Sequence, residues 1–400
     1  MNVRIKKKQL IGKVVAPPSK SYSHRYIIAS MLANSSNTIS NVFQSEDVKA
    51  TLSCLNSFGS LYKIVDNNII IYPGEKNTNV PIFDCNESGS TLRFLIPIVL
   101  TKYDHVIFKG SKRLLSRGIE IYEKLFENIG IFFLKHENEI EIKGMLKPGK
   151  FTLNGDVSSQ YISGLLFALP LLSSDSVIEI LPPLYSKNYI DMTLEVLKQF
   201  SIKYEIDDNL IYIKGNQTYK PINVNIEGDF SNAAFLDAFN YFNSNITISN
   251  LNFNSLQGDK IYKQYFDLLD KSYQTLDISN CIDLGPILFA FAALKHGGTF
   301  KGTSRLKIKE SDRALAMKEE LDKVGITLIV NDDEVIVNKK EINVTDVTFN
   351  SHNDHRIAMA LSLLSCKINL IIEDASCINK SYPHYFKDLI SLGADINEIE

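Results

Sequence analysis

The sequence predicts an α/β protein of two similar domains, each a pseudo-threefold arrangement of three βαβαββ-type units. Two observations lead there. Six times a short polar stretch with a small residue runs straight into an apolar, helix-like segment. With Ser21, Ser90, Ser159, Ser231, Gly285 and His355 as markers, the intervals are 69, 69, 72, 54 and 70 residues, which is the signature of a repeat. Between the junctions lie strand-length β-branched and aromatic runs, several bounded by Asn, Asp or Gly. Each unit therefore reads as helix, strand, helix, strand, strand.

In chain order, Pro18-Ser19-Lys20-Ser21 precedes the apolar run Tyr26 to Leu32, Glu87-Ser88-Gly89-Ser90 precedes Leu92 to Leu100, and Asp156-Val157-Ser158-Ser159-Gln160 precedes Tyr161 to Leu172. Gly228-Asp229-Phe230-Ser231 then precedes Ala233 to Phe242, Asp283-Leu284-Gly285 precedes Ile287 to Leu294, and Asn353-Asp354-His355-Arg356 precedes Ile357 to Leu364. The strand runs include Asn68 to Tyr72, His105 to Phe108, Val177 to Ile180, Leu210 to Ile213, Ile246 to Ile248, Glu334 to Val337 and Asn369 to Ile372. Two further helices, Ile119 to Gly130 and Asp312 to Gly325, stop on a glycine suited to the C′ position. No Pro-rich or Gly/Ser-rich linker marks a boundary, so the repeat itself divides the chain: residues 16–227 form one lobe, and 1–15 with 228–400 the other. The site is expected between them.

At 400 residues the chain exceeds the size at which one core keeps growing, and 44% apolar content is ample for two. A net charge of -3 gives no global case for nucleic acid or anionic membrane as a partner. Cys54, Cys85, Cys281, Cys366 and Cys377 form no C-x-x-C pair and have no zinc-type His spacing, so no disulfide framework and no metal site are expected. Met1 to Leu10 lacks an apolar signal region, and no run approaches the length of a membrane span. A cytoplasmic location is expected.

A helix start leaves backbone N–H groups unpaired with a positive partial charge behind them, which suits phosphate or carboxylate. For a single junction the ordinary reading is a Ser, Asp or Asn helix cap. Six junctions in register, two of them carrying Lys20 or Arg356 and a third followed closely by Arg93, point instead to a shared anion site.

Five strings then carry a specific resemblance: Pro18-Ser19-Lys20-Ser21-Tyr22-Ser23-His24-Arg25, Ser158-Ser159-Gln160, Ser186-Lys187-Asn188-Tyr189-Ile190-Asp191, Lys309-Glu310-Ser311-Asp312-Arg313 and Asn353-Asp354-His355-Arg356. In order and spacing they closely resemble the signatures of the EPSP synthase family, whose members transfer the enolpyruvyl group of phosphoenolpyruvate to the 5-hydroxyl of shikimate 3-phosphate. The resemblance implies an inside-out α/β barrel in each lobe, with no metal or organic cofactor and a monomer. The first lobe would mainly bind shikimate 3-phosphate, and the second would mainly bind phosphoenolpyruvate and carry the catalytic Asp and Glu.

Both substrates bear phosphate and carboxylate, so many cations must meet them. Lys20, Arg25, Arg93, Arg117, Lys309, Arg313, Arg356 and Lys380 lie in or beside the motifs; each charge-assisted contact contributes about 1.5–3 kcal/mol. By resemblance, Lys20, Ser21, Arg25, Ser158, Ser159, Gln160, Ser186, Asp283 and Lys309 hold shikimate 3-phosphate. Lys20, Gly89, Arg117, Gln160, Arg313, Arg356 and Lys380 hold phosphoenolpyruvate, with Gly89 giving backbone-level approach. Asp283 is the expected base, and Glu310 and Lys20 are the two candidates for proton transfer at C3 of phosphoenolpyruvate. Asp47 either pairs with a site cation or starts a helix. Gly89 also implies inhibition by glyphosate, since a side chain there would crowd that compact anion.

The chain departs from the family pattern in Arg305, where an Asn is common, in Glu87 and Phe94, and in Arg113-Leu114-Leu115-Ser116-Arg117-Gly118, which lacks the usual Arg-Pro pair. A transferase of the sister family acting on UDP-N-acetylglucosamine would place a reactive Cys, occasionally an Asp, in Lys109 to Gly118, which has neither. A catalytically silent anion-binding protein of the same fold would not need Lys20, Asp283 and Glu310 together.

Overall fold

The computed structural model describes residues 1–75, 79–117 and 119–399. The chain divides into two compact units, Pro18–Glu227 and Met1–Pro17 with Gly228–Glu400. Each has its own apolar core.

In Pro18–Glu227 the repeat is plain. Helix Lys20–Leu32, strand Asn37–Ser40, helix Glu46–Phe58 and the hairpin Leu61–Val65/Asn68–Tyr72 form the first unit. Strand Ile82–Asp84, helix Gly89–Val99, strand His105–Lys109, helix Glu120–Glu127 and the hairpin Phe132–Lys135/Glu139–Lys143 form the second. Strand Lys150–Asn154, helix Ser159–Ala168, strand Ser176–Leu181, helix Lys187–Gln199 and the hairpin Tyr204–Asp207/Leu210–Ile213 form the third. Every sheet has the same four-strand order: a leading strand runs parallel to the strand after the first helix, which pairs antiparallel with the outgoing hairpin. The first sheet takes its leading strand, Asn223–Asn225, from the far end of the unit, parallel to Asn37–Ser40.

In the other unit the pattern holds twice. One sheet joins Gln274–Asp277, Gly298–Lys301, Glu334–Val337 and Leu328–Val330 around helices Gly285–Leu294 and Arg313–Asp322. Another joins Val347–Asn350 and Leu370–Glu373 to the N-terminal strand Asn2–Lys6 and to Asp395–Ile399. The fourth repeat departs from the expected helix, strand, helix, strand, strand: after helix Phe230–Asp237, strand Asn245–Ser249 and helix Tyr262–Lys271, the chain passes directly into Gln274–Asp277 with no hairpin. Its sheet has two strands, Asn245–Ser249 parallel to Ile11–Val15. The missing hairpin accounts for the short interval of 54 residues.

The six junction helices are buried on nearly every face: Tyr22 to Met31, Thr91 to Val99, Tyr161 to Ala168, Phe230 to Leu236, Gly285 to Ala293 and all of His355–Ser362. An all-round apolar helix belongs inside. The strands instead alternate buried and open residues, as in Asn68–Tyr72, His105–Lys109 and Lys150–Asn154, so one face of each sheet looks outward. Helices inside and sheets outside leave only the helix ends for chemistry. Among the described residues no helix is long and apolar enough to cross a membrane.

Candidate active site

Five of the six junction helices are capped by the side chain of the residue before them: Ser19 accepts from the Tyr22 N–H, Ser88 from Thr91, Ser158 from Gln160, Asp229 from Asn232 and Asp354 from Arg356. The ordinary cap reading thus holds for these positions. Asp283 is different. It sits in the 3-10 turn Ile282–Leu284, the residue at the cap position is Leu284, and no side chain caps helix Gly285–Leu294. Its carboxylate is turned to cations.

In Gly228–Glu400 the three junction helices bring their starts together on one guanidinium. Arg356, 5% exposed, donates from Nη1 to Ser231 Oγ at 2.5 Å and to the Asp283 carbonyl at 3.1 Å, while its Nη2 lies 3.4 Å from Asp283 Oδ2. Asp283 Oδ1 also meets Lys309 Nζ at 3.0 Å and Arg313 Nη1 at 2.8 Å. Burial by itself would raise the Asp283 carboxyl, but Arg356, Lys309 and Arg313 hold it well below the usual carboxylate range. Burial likewise pulls the Lys309 ammonium down, against the attraction of Asp283.

Arg313 is the hub. Only 1% exposed, it donates from Nε to Asp354 Oδ2 at 2.8 Å, from Nη1 to Asp283, and from Nη2 to Glu310 Oε2 at 2.7 Å. Asp354 also accepts from the N–H and hydroxyl of Ser311, which ties the Lys309-Glu310-Ser311 segment to the start of His355–Ser362. Desolvation opposes charge on Asp354, yet the guanidinium beside it keeps its pKa low. Lys380, at the end of the 3-10 segment Ala375–Lys380, donates to the Asn353 carbonyl at 2.7 Å. His355 is buried behind Arg356, its Nδ1 3.9 Å from Asp354.

Pro18–Glu227 holds a second group. Lys20 Nζ pairs with Asp47 Oδ2 at 3.0 Å, and Asp47 also lies in the first turn of helix Glu46–Phe58, so both readings of Asp47 hold at once. Gln160 donates from Nε2 to Ser90 Oγ at 2.9 Å and accepts from Arg93 Nη1 at 2.6 Å, joining the starts of Gly89–Val99 and Ser159–Ala168. Arg93 also donates to Tyr161 Oη and to the Arg117 carbonyl. A Cβ on Gly89 would sit 3.0 Å from Arg93 Nη1 and 3.6 Å from Gln160 Oε1, so a side chain here presses directly on that pair. Arg25 donates to the Ser21 and Tyr189 carbonyls and to Thr193 Oγ1, which clamps helix Lys187–Gln199 to helix Lys20–Leu32. Burial lowers its pKa to about 10. Ser186 is nearly buried and holds φ +55°, a left-handed conformation uncommon for serine. Ser159 is buried beside the Ser158 cap, and Ser21 is half-buried.

Two of the departures, Phe94 and Arg305, have a clear local setting. Phe94 packs against Phe167 with centroids 5.8 Å apart and lies 5.2 Å beneath the Arg25 guanidinium. Arg305 is buried and donates to the Ser279 carbonyl. Gly118, the last residue of the Arg113 to Gly118 stretch, lies outside the described residues; Arg117 itself is half-buried. Sequence reasoning missed Asp259 altogether: it is a buried carboxyl that lies within the field of Asp283 and Arg356. Gln257-Gly258-Asp259 looks like an ordinary turn, and nothing in the local pattern marks it.

The family model of EPSP synthase (3-phosphoshikimate 1-carboxyvinyltransferase) matches residues 5–389. The 3-phosphoshikimate 1-carboxyvinyltransferase of Clostridium kluyveri is 40% identical over 420 residues, spanning 99% of this chain and 98% of that protein. In fold, the chain is similar to the EPSP synthase of Acinetobacter baumannii, with TM-score 0.78 at 21% identity, covering 99% of this chain and all of that one. It is equally similar to the enolpyruvyl transferase NikO of Streptomyces tendae, with TM-score 0.78 at 14% identity over 99% and 98%. By a match that runs almost end to end, the chain belongs to the EPSP synthase family.

Proposed function

We propose that this chain transfers the enolpyruvyl group of phosphoenolpyruvate to the 5-hydroxyl of shikimate 3-phosphate and releases phosphate. The observation that carries the reading is the Asp283 carboxylate set among Lys309, Arg313 and Arg356 where three helix starts converge. One half-buried anion held by three cations is a site that accepts further anions.

In this reading Lys20, Ser21, Arg25, Ser158, Ser159, Gln160, Ser186, Asp283 and Lys309 hold shikimate 3-phosphate, with Arg25 bracing the backbones of Ser21 and Tyr189. Lys20, Gly89, Arg117, Gln160, Arg313, Arg356 and Lys380 hold phosphoenolpyruvate. A proton delivered to C3 makes C2 electrophilic, the 5-hydroxyl oxygen attacks C2, and Asp283 takes the hydroxyl proton. The resulting tetrahedral phosphate ketal loses a proton from its new methyl group, the double bond reforms, and the C2–O bond electrons leave with phosphate. Glu310 supports the C3 role from its place on Arg313, the same guanidinium that holds Asp283: one carboxyl gives a proton while the other takes one. Lys20 is the other candidate.

A carboxylate held so low is a poor base. Phosphoenolpyruvate corrects this: its phosphate and carboxylate compete for Arg313 and Arg356, and each cation they draw away raises the proton affinity of Asp283. The base is weak until the substrate is bound.

The test is phosphate release from phosphoenolpyruvate in the presence of either acceptor. Release that depends on shikimate 3-phosphate supports the reading; release with UDP-N-acetylglucosamine instead, or with neither, removes it.

A further inference from the structure

We propose that His352 and Glu320 are positioning residues for Lys380: the hydrogen bond between them fastens the loop Asn350 to Asp354 onto helix Arg313–Asp322, and that loop presents the carbonyl on which the Lys380 ammonium is seated. The inference rests on the assignment of Lys380 to phosphoenolpyruvate above.

One face of one helix holds both ends of the loop. Arg313 and Glu320 are seven residues apart in Arg313–Asp322, about two turns, so their side chains leave the same face. At one end of the loop, Arg313 Nε donates to Asp354 Oδ2 at 2.8 Å. At the other, Glu320, 2% exposed, accepts from the Asn350 N–H through Oε2 at 2.8 Å and from His352 Nε2 through Oε1 at 2.9 Å. Lys323 Nζ also meets Oε2, at 2.7 Å. Burial opposes the charge on Glu320, yet His352, Lys323 and the Asn350 N–H hold its pKa below the usual value. An ionised carboxylate only accepts, so His352 Nε2 supplies the hydrogen.

The loop needs the hold. His352 and Asn353 stand at φ +51° and +52°, two successive left-handed residues, neither of them glycine, a conformation that persists only where the surroundings over-determine it. Asn350 Oδ1 accepts from the His352 N–H at 2.6 Å, and Ser351 Oγ accepts from the Asn353 N–H at 3.3 Å and donates to the Asp374 carbonyl at 3.1 Å. The turn delivers the Asn353 carbonyl to Lys380 Nζ at 2.7 Å. Lys380 is 7% exposed, and a compact ammonium on a flexible stem takes its position from its acceptors. Releasing His352 moves the carbonyl and the ammonium with it. Arg313 keeps Asp283 and Glu310 whatever the loop does, so the loss falls on binding rather than on proton transfer.

The experiment compares wild type with His352→Ala, His352→Gln, Glu320→Ala and Glu319→Ala by steady-state phosphate release, varying each substrate in turn, with thermal melting as the check on folding. His352→Ala and Glu320→Ala are expected to raise KM for phosphoenolpyruvate by ~10-fold, with KM for shikimate 3-phosphate and kcat within ~3-fold of wild type. His352→Gln carries the same backbone cost as His352→Ala but offers an amide N–H to Glu320, and is expected to recover most of the loss. Glu319, exposed and 3.7 Å from His352 Nε2, is the control for charge alone, and Glu319→Ala is expected to leave both KM values within ~2-fold. On a Lys380→Ala background, His352→Ala adds no more than ~2-fold, because the residue it positions has gone. A folded His352→Ala with wild-type KM for phosphoenolpyruvate overturns the proposal. So do equal losses in His352→Gln and His352→Ala, a Glu319→Ala effect as large as theirs, or a full ~10-fold addition on the Lys380→Ala background. If Glu320→Ala does not fold, the two His352 variants carry the test. A wild-type chain that releases no phosphate, or a Lys380→Ala variant with unchanged KM for phosphoenolpyruvate, is a different result: it removes the activity reading or the role of Lys380 first, and this inference with it.

Discussion

Arg313 Nη1 lies 2.8 Å from Asp283 Oδ1, and the other nitrogens of the same guanidinium hold Glu310 and Asp354. One buried cation thus fixes the expected base, a candidate proton donor and the cap of the His355–Ser362 helix together. Its replacement by lysine, a point charge with no planar fork, cannot serve all three. Arg313→Lys is expected to lower kcat/KM for phosphoenolpyruvate by ~100-fold or more, measured by initial rates at limiting substrate.

Asp283→Asn keeps the shape and removes the proton acceptor. General-base catalysis contributes about 10²–10⁴-fold, so kcat is expected to fall within that range. Pre-steady-state phosphate release with the folded variant checks it; a kcat near wild type would rule Asp283 out as the base.

The substrate-dependent strength of Asp283 has its own pH signature. In the free enzyme the surrounding cations hold its pKa well below the usual range, and in the proposed reading bound phosphoenolpyruvate draws those cations away. The acidic limb of kcat, which reports the bound complex, is therefore expected at higher pH than the acidic limb of kcat/KM. Coincident limbs would mean that Arg313 and Arg356 stay with Asp283 throughout.

Much of this site is legible in the sequence for definite reasons. Four of the six junction helices lack an amphipathic stripe, which places them inside with only their ends exposed, as for Gly285–Leu294 with nine consecutive buried residues. Asp283 stood out as a polar group at the head of such a run, and the structure removes its competing role as a cap. Ser158, by contrast, does cap its helix. Asp259 was not legible, because its meaning lies in Asp283 and Arg356, which only the fold brings near it. The missing hairpin of the fourth repeat was already present in the 54-residue interval, but an interval does not say which element has gone.

Asp354 links the site to stability. Its folded pKa is depressed, so its contribution is fully present above the unfolded carboxylate value of about 3.9 and is lost as pH falls through the lower folded value. Asp354→Ala removes a buried partner of Arg313 and a helix cap at once, and is expected to cost ~3–5 kcal/mol at pH 7. Urea unfolding at pH 7 and at pH 3 checks this, with the gap between wild type and variant shrinking at the lower pH.

Gly89→Ala tests the second group of residues. The new Cβ, 3.0 Å from Arg93 Nη1, forces the guanidinium away from Gln160 and fills the space against the main chain. KM for phosphoenolpyruvate is expected to rise by ~10-fold, and inhibition by glyphosate to weaken by at least as much, since both are compact anions. Dose–response curves on the two proteins decide it.

The most direct measurement follows both substrates by phosphorus and proton NMR. With phosphoenolpyruvate and shikimate 3-phosphate together, the account predicts that inorganic phosphate grows in step with new vinyl protons of an enol ether, that neither forms when one substrate is omitted, and that Asp283→Asn slows both equally. Phosphate appearing without the enol ether, or an enol ether formed on UDP-N-acetylglucosamine instead, would contradict it.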